Sequence, residues 1–273
     1  MSAGLPAFGN WQAGADVWVR SGWRVAENVV TGAACLRDHR GKTVLRGQVE
    51  ECVAVGKRLA SLSGRISAVI LLHGLGRDRR CMVRLERAAA EAGYAVANVL
   101  YPSLRRPLAA QVAQVRGVAR GLMDDGATEI NFIGYSLGGL VARCVMAEGV
   151  GVPGRLITIG TPNQGASIAD YLLRFAAYRG FSGPCGAAVS RGQATRLPIP
   201  AVEIGVMAGG NGRQGYNPLL AGDNDGLVTA AEARLGPHEA DFLLTPAIHG
   251  LLPTDRRVVA NTLAFLAAGR FSQ

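Results

Sequence analysis

The sequence predicts an α/β fold in which a mostly parallel central sheet carries helices on both faces. From about residue 67 onward, short apolar runs alternate with segments of helical pattern, as in parallel sheets with crossover helices. The first run, residues 68–72 (AVILL), is apolar throughout, as expected for a strand buried on both faces. Of the 273 residues, 49% are hydrophobic and 18% are charged, which favours a large core and excludes a disordered chain.

The other elements of this sheet follow from local signals. Apolar runs predict the strands, and apolar residues at helical spacing predict the helices. Gly93 ends one helix, and Pro107 begins another, where its missing N–H costs nothing in the first turn. We expect strands at 68–72, 95–100, 129–133, 155–159, 201–207 and 241–244, and helices at 81–92, 107–123, 137–147 and 254–268.

Residues 1–65 precede this alternation and have a different pattern. The turn at 38–41 (DHRG) indicates an antiparallel hairpin, and residues 48–60 have a helical pattern. We interpret the strands here as antiparallel edge strands of the same sheet, with a separate domain as the alternative, and residues 66–273 as the core. The strand-like runs lie at 16–20, 23–30, 33–37 and 43–45.

A long insert at about 163–200 separates two predicted core strands. Inserts of this length are uncommon and often serve as lids or binding segments. Two interpretations stay open: a lid-like segment over an apolar pocket, and a surface helix whose aromatic side chains pack inward. The insert carries Tyr171, Leu172, Leu173, Phe175, Tyr178 and Phe181.

The formal net charge of +9 raises the question of a nucleic-acid partner. Lys42 and Lys57 are the only lysines among the 29 basic residues, and the arginines are scattered along the chain. No stretch alternates basic with aromatic residues, so we expect no nucleic-acid binding. Weak contact with an anionic lipid surface or an acidic substrate stays open.

The cysteines and the apolar runs bound the remaining classes. Five widely spaced cysteines form no C-x-x-C pair and no cluster with histidine, so we expect buried thiols, no metal and no cofactor. The sequence contains no run of about 18 apolar residues, so we expect no membrane span. The first ten residues lack a basic cluster and an apolar stretch, so they do not resemble a secretion signal, and we expect a cytoplasmic protein.

The segment Gly134-Tyr135-Ser136-Leu137-Gly138 matches the pattern G-x-S-x-G. An apolar strand precedes it and a helical pattern follows, which is the context of a nucleophilic serine on a sharp strand-to-helix turn. Glycines on both sides let the backbone pack tightly around that turn. The alternative is an ordinary turn with a serine that caps the helix.

A second glycine-rich turn, His73-Gly74-Leu75-Gly76, follows strand 68–72. The N–H of Leu75 and the N–H of Leu137 together can form an oxyanion hole. In folds that place a nucleophilic serine on such a strand-to-helix turn, the base follows the serine in the chain. His73 precedes Ser136, so we interpret His73 as a residue that fixes the loop. An ordinary glycine-rich turn is the alternative.

The candidate base is His249, one of four histidines. It follows strand 241–244 by a short loop, which places it at the same carboxyl edge of the sheet as Ser136. His238 precedes that strand at the opposite edge, and His39 lies in the hairpin turn. We expect His238 to be a solvated loop residue and His39 to be exposed.

The candidate acids are Asp223 and Asp225, which follow the strand predicted at 201–207 after a glycine-rich loop. We favour Asp225, because Gly226 permits a turn that directs its neighbour at the histidine. The resulting order Ser136, Asp225, His249 is the one that this arrangement requires. The alternative is that both aspartates only cap a turn.

These motifs resemble those of bacterial α/β-hydrolases of the lipase/esterase group. The similar segments are ILLHGLGR (70–77), FIGYSLGG (132–139), TPNQG (161–165), and DNDGLV with TPAIH (223–228, 245–249), and the resemblance covers about residues 66–270. It implies a Ser–His–Asp hydrolase of carboxylic esters, with Asp225 as the acid and Leu75 supplying an oxyanion amide. Calcium-binding secreted lipases of this group carry an Asp two residues after the histidine, where this chain has Leu251, so we expect no such calcium site.

We therefore predict an esterase or lipase that acts on a small-molecule ester or lipid substrate through Ser136, Asp225 and His249. A thioesterase or an acyltransferase would use the same residues. A hydrolase-like binding module without turnover is the alternative from a different class, because a fold by itself proves no function.

Overall fold

The computed structural model describes residues 11–20, 22–60 and 66–272. Their ten strands are β1 (Gly14–Arg20), β2 (Trp23–Asn28), β3 (Ala34–Arg37), β4 (Thr43–Gly47), β5 (Ile66–Leu72), β6 (Ala95–Val99), β7 (Ala127–Tyr135), β8 (Pro153–Ile159), β9 (Ile204–Gly209) and β10 (Asp241–Thr245). The α-helices there are α1 (Val49–Leu59), α2 (Val83–Glu91), α3 (Leu108–Asp124), α4 (Leu137–Ala147), α5 (Ser167–Leu172), α6 (Ala176–Ser182), α7 (Arg191–Ala194), α8 (Ala230–Ala233) and α9 (Arg256–Ala268).

Strands β5 to β10 form one sheet in the order β10-β9-β8-β7-β5-β6, and every pairing in it is parallel. Successive side chains of β5 enter opposite layers: Ile70 and Leu72 pack on one face, and Val69 and Leu71 pack on the other. Both faces are buried, which explains why this strand is apolar throughout. The predicted mixed α/β fold with a parallel central sheet is confirmed.

Helices cover both faces of this sheet. Side chains of α3 and α4, such as Val115 and Leu140, join the core on the face of Ile70. Side chains of α2 and α9, such as Leu85 and Phe265, join the core on the opposite face. Helix α9 begins at Arg256, two residues later than predicted, because the Asp255 carboxylate caps it by accepting the N–H groups of residues 257 and 258.

The first four strands are antiparallel, as predicted, but the prediction that they continue the main sheet is wrong. They pair in the order β1-β2-β3-β4 as a sheet of their own. The physical reason is a separate small core: Trp18, Leu36 and Cys52 pack between this sheet and α1. One backbone hydrogen bond, from Asp16 N to Leu100 O at 2.8 Å, joins β1 to the residue after β6.

A buried ion pair and a helix also join the N-terminal sheet to the core. Arg24 of β2 donates to the buried carboxylate of Asp16 of β1 at 2.9 Å, and the same carboxylate accepts the N–H of Leu100, after β6, at 2.8 Å. On α3, Gln114 donates to the carbonyl oxygens of Asp16 and Leu100. The division of the chain into domains at residue 65 stays a prediction.

The insert at 163–200 contains the short helices α5, α6 and α7 and a turn of 3₁₀-helix at Gly186–Val189. Its aromatic residues do not all pack inward, since Tyr171, Phe175 and Phe181 are exposed. The lid-like role of the insert stays a prediction. In the described parts of the chain, no helix has the length and apolar character needed to cross a membrane.

Candidate active site

Ser136 occupies a sharp turn between β7 and α4 at the carboxyl edge of the parallel sheet. Its backbone angles are φ 54° and ψ −122°, and it is the only residue other than glycine with a positive φ in the described residues. Two backbone hydrogen bonds fix the turn: Ser136 N donates to Ile159 O at 2.9 Å, and Gly139 N donates to Ser136 O at 3.0 Å. The adjoining structure thereby holds a backbone conformation that a serine does not favour by itself.

The glycines of the G-x-S-x-G pattern are required by close backbone approach. A Cβ at Gly134 would lie 2.4 Å from the Cα of Gly139, and a Cβ at Gly138 would lie 2.2 Å from the carbonyl oxygen of Leu72. Neither contact can be relieved by rotating a side chain. The glycines therefore allow the turn to close tightly against β5 and place Ser136 at the sheet edge.

His249 begins a 3₁₀ turn at His249–Thr254, shortly after β10, and its ring faces Ser136. The distance from His249 Nε2 to Ser136 Oγ is 3.1 Å. The main chain of His249 is held on both sides: its N–H donates to Asp225 O at 2.8 Å, and its carbonyl accepts the Tyr135 hydroxyl at 3.0 Å. The ring is thus fixed with one nitrogen beside the serine hydroxyl.

Asp225 lies on the other side of the imidazole. Its Oδ2 is 2.7 Å from His249 Nδ1, and its Oδ1 accepts the N–H groups of Leu227 at 3.0 Å and Val228 at 2.8 Å. The hydrogen-bond network assigns the proton to Nδ1, facing the carboxylate, and leaves Nε2 free to accept from Ser136. The structure thus brings Ser136, His249 and Asp225 into one hydrogen-bonded line.

Asp223, the competing acid, has a different role. Its two carboxylate oxygens accept the backbone N–H groups of Asn211 and Gly212, each at 2.8 Å. This geometry closes the loop that follows β9. The structure therefore separates two aspartates that the sequence left in competition, although the catalytic role of Asp225 stays a prediction.

The predicted oxyanion donors flank Ser136. Leu137 is the first residue of α4, where N–H groups have no partner within the helix. Gly74 packs against the serine, because a Cβ there would lie 3.1 Å from Ser136 Cβ. The next residue is Leu75, and within the described chain neither its N–H nor that of Leu137 has a protein acceptor. Both amides are available to an oxygen above the serine.

His73 lies fully buried at the same edge, and within the described chain its ring makes no hydrogen bond to Ser136. Its ring stacks on Tyr101 with centroids 4.1 Å apart, and its Nδ1 is 2.9 Å from Gly74 O. Burial lowers the pKa of His73 to about 4, so the ring is neutral and Nδ1–H donates to that carbonyl. The geometry is that of a residue that holds the 73–77 loop. His238 and His39 are both exposed.

Sequence reasoning missed Gln12, which precedes β1. Its Oε1 accepts the N–H of Leu104 at 2.8 Å, and its Nε2 lies 3.4 Å from the carbonyl oxygen of Arg77. Ser103, buried beside it, accepts the N–H of Gly76 at 3.0 Å. The start of the described chain thus braces the loop that carries Leu75. No local pattern marks a glutamine for this role, so the sequence held no signal that could have found it.

A cavity of about 250 Å³ opens above Ser136 and His249. Most of its wall is apolar, with Leu75, Leu104, Ile168, Leu172, Phe181 and Leu227 among the lining residues. A larger cavity of about 770 Å³ lies beside His238 at the amino edge of the sheet and contains none of the predicted site residues. In the described segments, no group of three or more His, Cys, Asp or Glu side chains could hold a metal ion.

The sequence comparisons give a short match. No family model matches the chain. Over 55 residues it is 42% identical to proteins named triacylglycerol lipase from Pseudarthrobacter phenanthrenivorans and Burkholderia plantarii. That segment is 20% of this chain, 17% of the first relative and 15% of the second, so the match spans less than a fifth of either curated relative.

The structural likeness is far more extensive than the sequence likeness. The Bacillus licheniformis lipase BlEst2, in its mature form, superposes with a TM-score of 0.59 at 18% identity. The match covers 76% of this chain and 93% of that one. The chain has the α/β-hydrolase fold. In α/β-hydrolases the nucleophile, the acid and the histidine follow one another along the chain in that order, as Ser136, Asp225 and His249 do here.

Proposed function

We propose that this α/β-hydrolase cleaves carboxylic esters through an acyl-enzyme intermediate. The observation that carries the proposal is the continuous line from Ser136 Oγ to His249 Nε2 at 3.1 Å and from His249 Nδ1 to Asp225 Oδ2 at 2.7 Å. A hydroxyl, an imidazole and a carboxylate in this line can deliver an activated nucleophile to a carbonyl carbon. The matches to lipases support esters as the substrate class.

In the first step, Ser136 Oγ attacks the ester carbonyl carbon while His249 Nε2 removes the proton of the Ser136 hydroxyl. Asp225 holds the Nδ1–H tautomer and stabilises the imidazolium that forms. The negative charge that develops on the carbonyl oxygen is stabilised by the N–H groups of Leu75 and Leu137 and by the N-terminus of α4. The imidazolium then donates its proton to the leaving alcohol.

In the second step, a water molecule attacks the acyl-serine while His249 removes the water proton. The same two amides stabilise the second oxyanion, and the carboxylic acid leaves as Ser136 recovers its proton. The apolar wall of the cavity beside the serine suits a hydrocarbon part of an ester or lipid.

We also propose that the insert contacts the surface of substrate aggregates. Tyr171, Phe175 and Phe181 expose 53%, 50% and 72% of their surface, and Arg174 and Arg179 are exposed between them. Aromatic side chains interleaved with arginines suit an interface that is apolar inside and anionic outside. Leu172, Tyr178 and Phe181 of the same insert line the cavity, so contact there would lie next to the substrate entrance.

The first experiment is hydrolysis of 4-nitrophenyl esters with acyl chains of two to sixteen carbons. We expect turnover by the unchanged protein and none by Ser136→Ala, and the chain-length profile separates an esterase from a lipase. Asp223→Asn serves as a matched control for Asp225→Asn, since it removes a neighbouring carboxylate outside the line. Turnover that survives in Ser136→Ala contradicts the proposal.

The insert is tested with the double variant Tyr171→Ser, Phe175→Ser, since neither residue lines the cavity. Both side chains are exposed, so the fold does not depend on them. We expect unchanged rates on a dissolved short-chain ester, and weaker binding to vesicles of phosphatidylglycerol in a flotation assay. Equal vesicle binding by the variant and the parent contradicts contact through this segment.

A further inference from the structure

One charged side chain lies in the wall of the otherwise apolar cavity above Ser136. Among the described residues that line it, Arg77 is the only one with a permanent charge. Arg77 follows the 73–76 turn, so its backbone belongs to the same loop as the predicted oxyanion donor Leu75. Arg77 is exposed to solvent, and a guanidinium at the mouth of a cavity is a strong recognition element for an anion.

Hydrogen bonds hold the backbone of Arg77, and its exposed side chain lies at the mouth of the cavity. Its N–H donates to Gly74 O at 3.1 Å, and its carbonyl oxygen lies 3.4 Å from Gln12 Nε2. The guanidinium lies over Gly250, where a Cβ would come within 3.1 Å of Nη2. Burial raises the pKa of Tyr135, and the positive charge of the nearby Arg77 opposes that rise.

No carboxylate neutralises this guanidinium in the part of the chain that the structure describes. The next residue, Asp78, pairs with Arg80 at 2.8 Å, and Asp225 pairs with His249 at 2.7 Å. In the described chain, Arg77 has no carboxylate oxygen within 4 Å. A guanidinium without a carboxylate partner, in the wall of the cavity that also contains Ser136 and His249, is therefore available to a substrate.

We propose that Arg77 is a specificity-determining residue that binds an anionic group on the ester. The substrate class is then an ester with a carboxylate or phosphate a few bonds from the scissile carbonyl, its apolar part lying on the leucine-rich wall. This inference rests on the proposed ester hydrolysis. The planar donors of a guanidinium pair with a carboxylate as well as with a phosphate. Its positive charge also attracts anionic esters from solution.

The test compares anionic and neutral esters of matched size. On the acyl side the pair is mono-4-nitrophenyl adipate and 4-nitrophenyl hexanoate. On the alcohol side the pair is 4-carboxyphenyl hexanoate and 4-carbamoylphenyl hexanoate. For each pair, the ratio of kcat/KM for the anionic over the neutral ester is measured in the parent, in Arg77→Gln and in Arg77→Lys.

We expect Arg77→Gln to lower this ratio by about tenfold in at least one pair, since a charge-assisted hydrogen bond at an exposed mouth is partly screened. The neutral esters should change less than about threefold. Arg77→Lys keeps the charge but lacks the planar guanidinium, so its ratio should lie between those of the parent and Arg77→Gln. Raising the salt concentration should lower the ratio in the parent and leave it unchanged in Arg77→Gln.

Arg120→Gln is the matched control, because Arg120 is exposed near the end of α3, which runs back toward the amino edge of the sheet. It removes the same charge and should leave both ratios unchanged. The proposal is overturned if Arg77→Gln keeps both ratios within twofold of the parent, or if Arg120→Gln lowers them equally.

Binding to Ser136→Ala distinguishes this inference from the proposed hydrolysis. Calorimetric titration with monoethyl adipate and ethyl hexanoate is made on Ser136→Ala and on Ser136→Ala, Arg77→Gln. Tighter binding of the anionic ester that requires Arg77 supports the inference even if the parent hydrolyses neither pair. Equal binding to both proteins overturns it even if the parent is an active esterase.

Discussion

Two histidines lie at the same edge of the parallel sheet and have opposite environments. His73, after β5, is fully buried, stacked on Tyr101 and hydrogen-bonded to the adjoining backbone. His249, after β10, has 8% of its surface exposed to solvent and lies between a carboxylate and a hydroxyl. Among the described residues, the first has only neutral backbone groups as hydrogen-bond partners, whereas the second has a carboxylate beside the nitrogen that carries its proton.

The comparison shows that position along the sheet edge does not decide what a histidine can do. A base must gain a proton during the reaction, so it needs a charge partner and access to the substrate. His73 has neither, and burial keeps it neutral. His249 has both, and the same imidazole chemistry therefore yields a structural element in one loop and a candidate base in the other.

The largest expected effect separates the two histidines by activity. His249→Gln should lower kcat for 4-nitrophenyl butyrate by about a million-fold, since the base and the nucleophile act as a unit. Its melting temperature should stay close to that of the parent. Steady-state kinetics and differential scanning fluorimetry measure both quantities, and a loss below about a hundredfold would remove His249 from the proposed mechanism.

The carboxylate partner gives the next effect. Asp225→Asn should lower kcat about ten-thousand-fold, because an amide can hold the ring in the wrong tautomer. Asp223→Asn, two residues away, removes a carboxylate that only closes a loop and should leave kcat within about threefold. Equal losses in the two variants would mean that the loop, rather than the charge beside His249, matters for turnover.

His73→Gln should act mainly on stability. It removes the stacking on Tyr101 and disturbs the buried hydrogen bond to Gly74, for a loss of about 2 kcal/mol in the free energy of unfolding. Because the loop also carries Leu75, kcat should fall, but by less than about a hundredfold. Urea denaturation and kinetics on one preparation give both numbers. A loss in kcat as large as that of His249→Gln would erase the distinction between the two residues.

The pH dependence of unfolding sharpens the same contrast. The pKa of His73 is about 4 in the folded protein, against about 6.5 for an unfolded histidine. The unfolded chain therefore binds this proton first, and stability present above about pH 6.5 is lost as the pH falls toward 4, by about 3 kcal/mol. Urea denaturation from pH 7.5 to 4 should show this loss in the parent and a smaller one in His73→Gln.

The sequence predicted the parallel sheet because its strands are buried on both faces and hence read as uninterrupted apolar runs. It also predicted α4 to the residue, since Ser136 and its flanking glycines mark the turn from which that helix starts. It misplaced the N-terminal strands, because alternating strand patterns do not specify which sheet they join. The small core around Trp18 depends on contacts between segments distant in sequence.

The candidate site, like the fold, was predictable from the sequence only in part. Order along the chain and position after a strand pointed to Ser136, Asp225 and His249, and the first two each lie within hydrogen-bond reach of the histidine. The same rules could not find Gln12, whose contacts with Arg77 and Leu104 span 65 and 92 positions along the chain. Nor could they show that the Arg77 guanidinium has no carboxylate beside it among the described residues, since that depends on where every neighbouring acid points.

The backbone of Ser136 has a consequence for anyone who evolves or stabilises this protein. At φ 54° a side chain is unfavourable and glycine is not. Ser136→Gly should therefore melt at a higher temperature than Ser136→Ala while being equally inactive. A selection for heat resistance alone would therefore favour replacement of Ser136 by glycine. Screens for more stable variants of this protein need to measure activity as well as melting temperature.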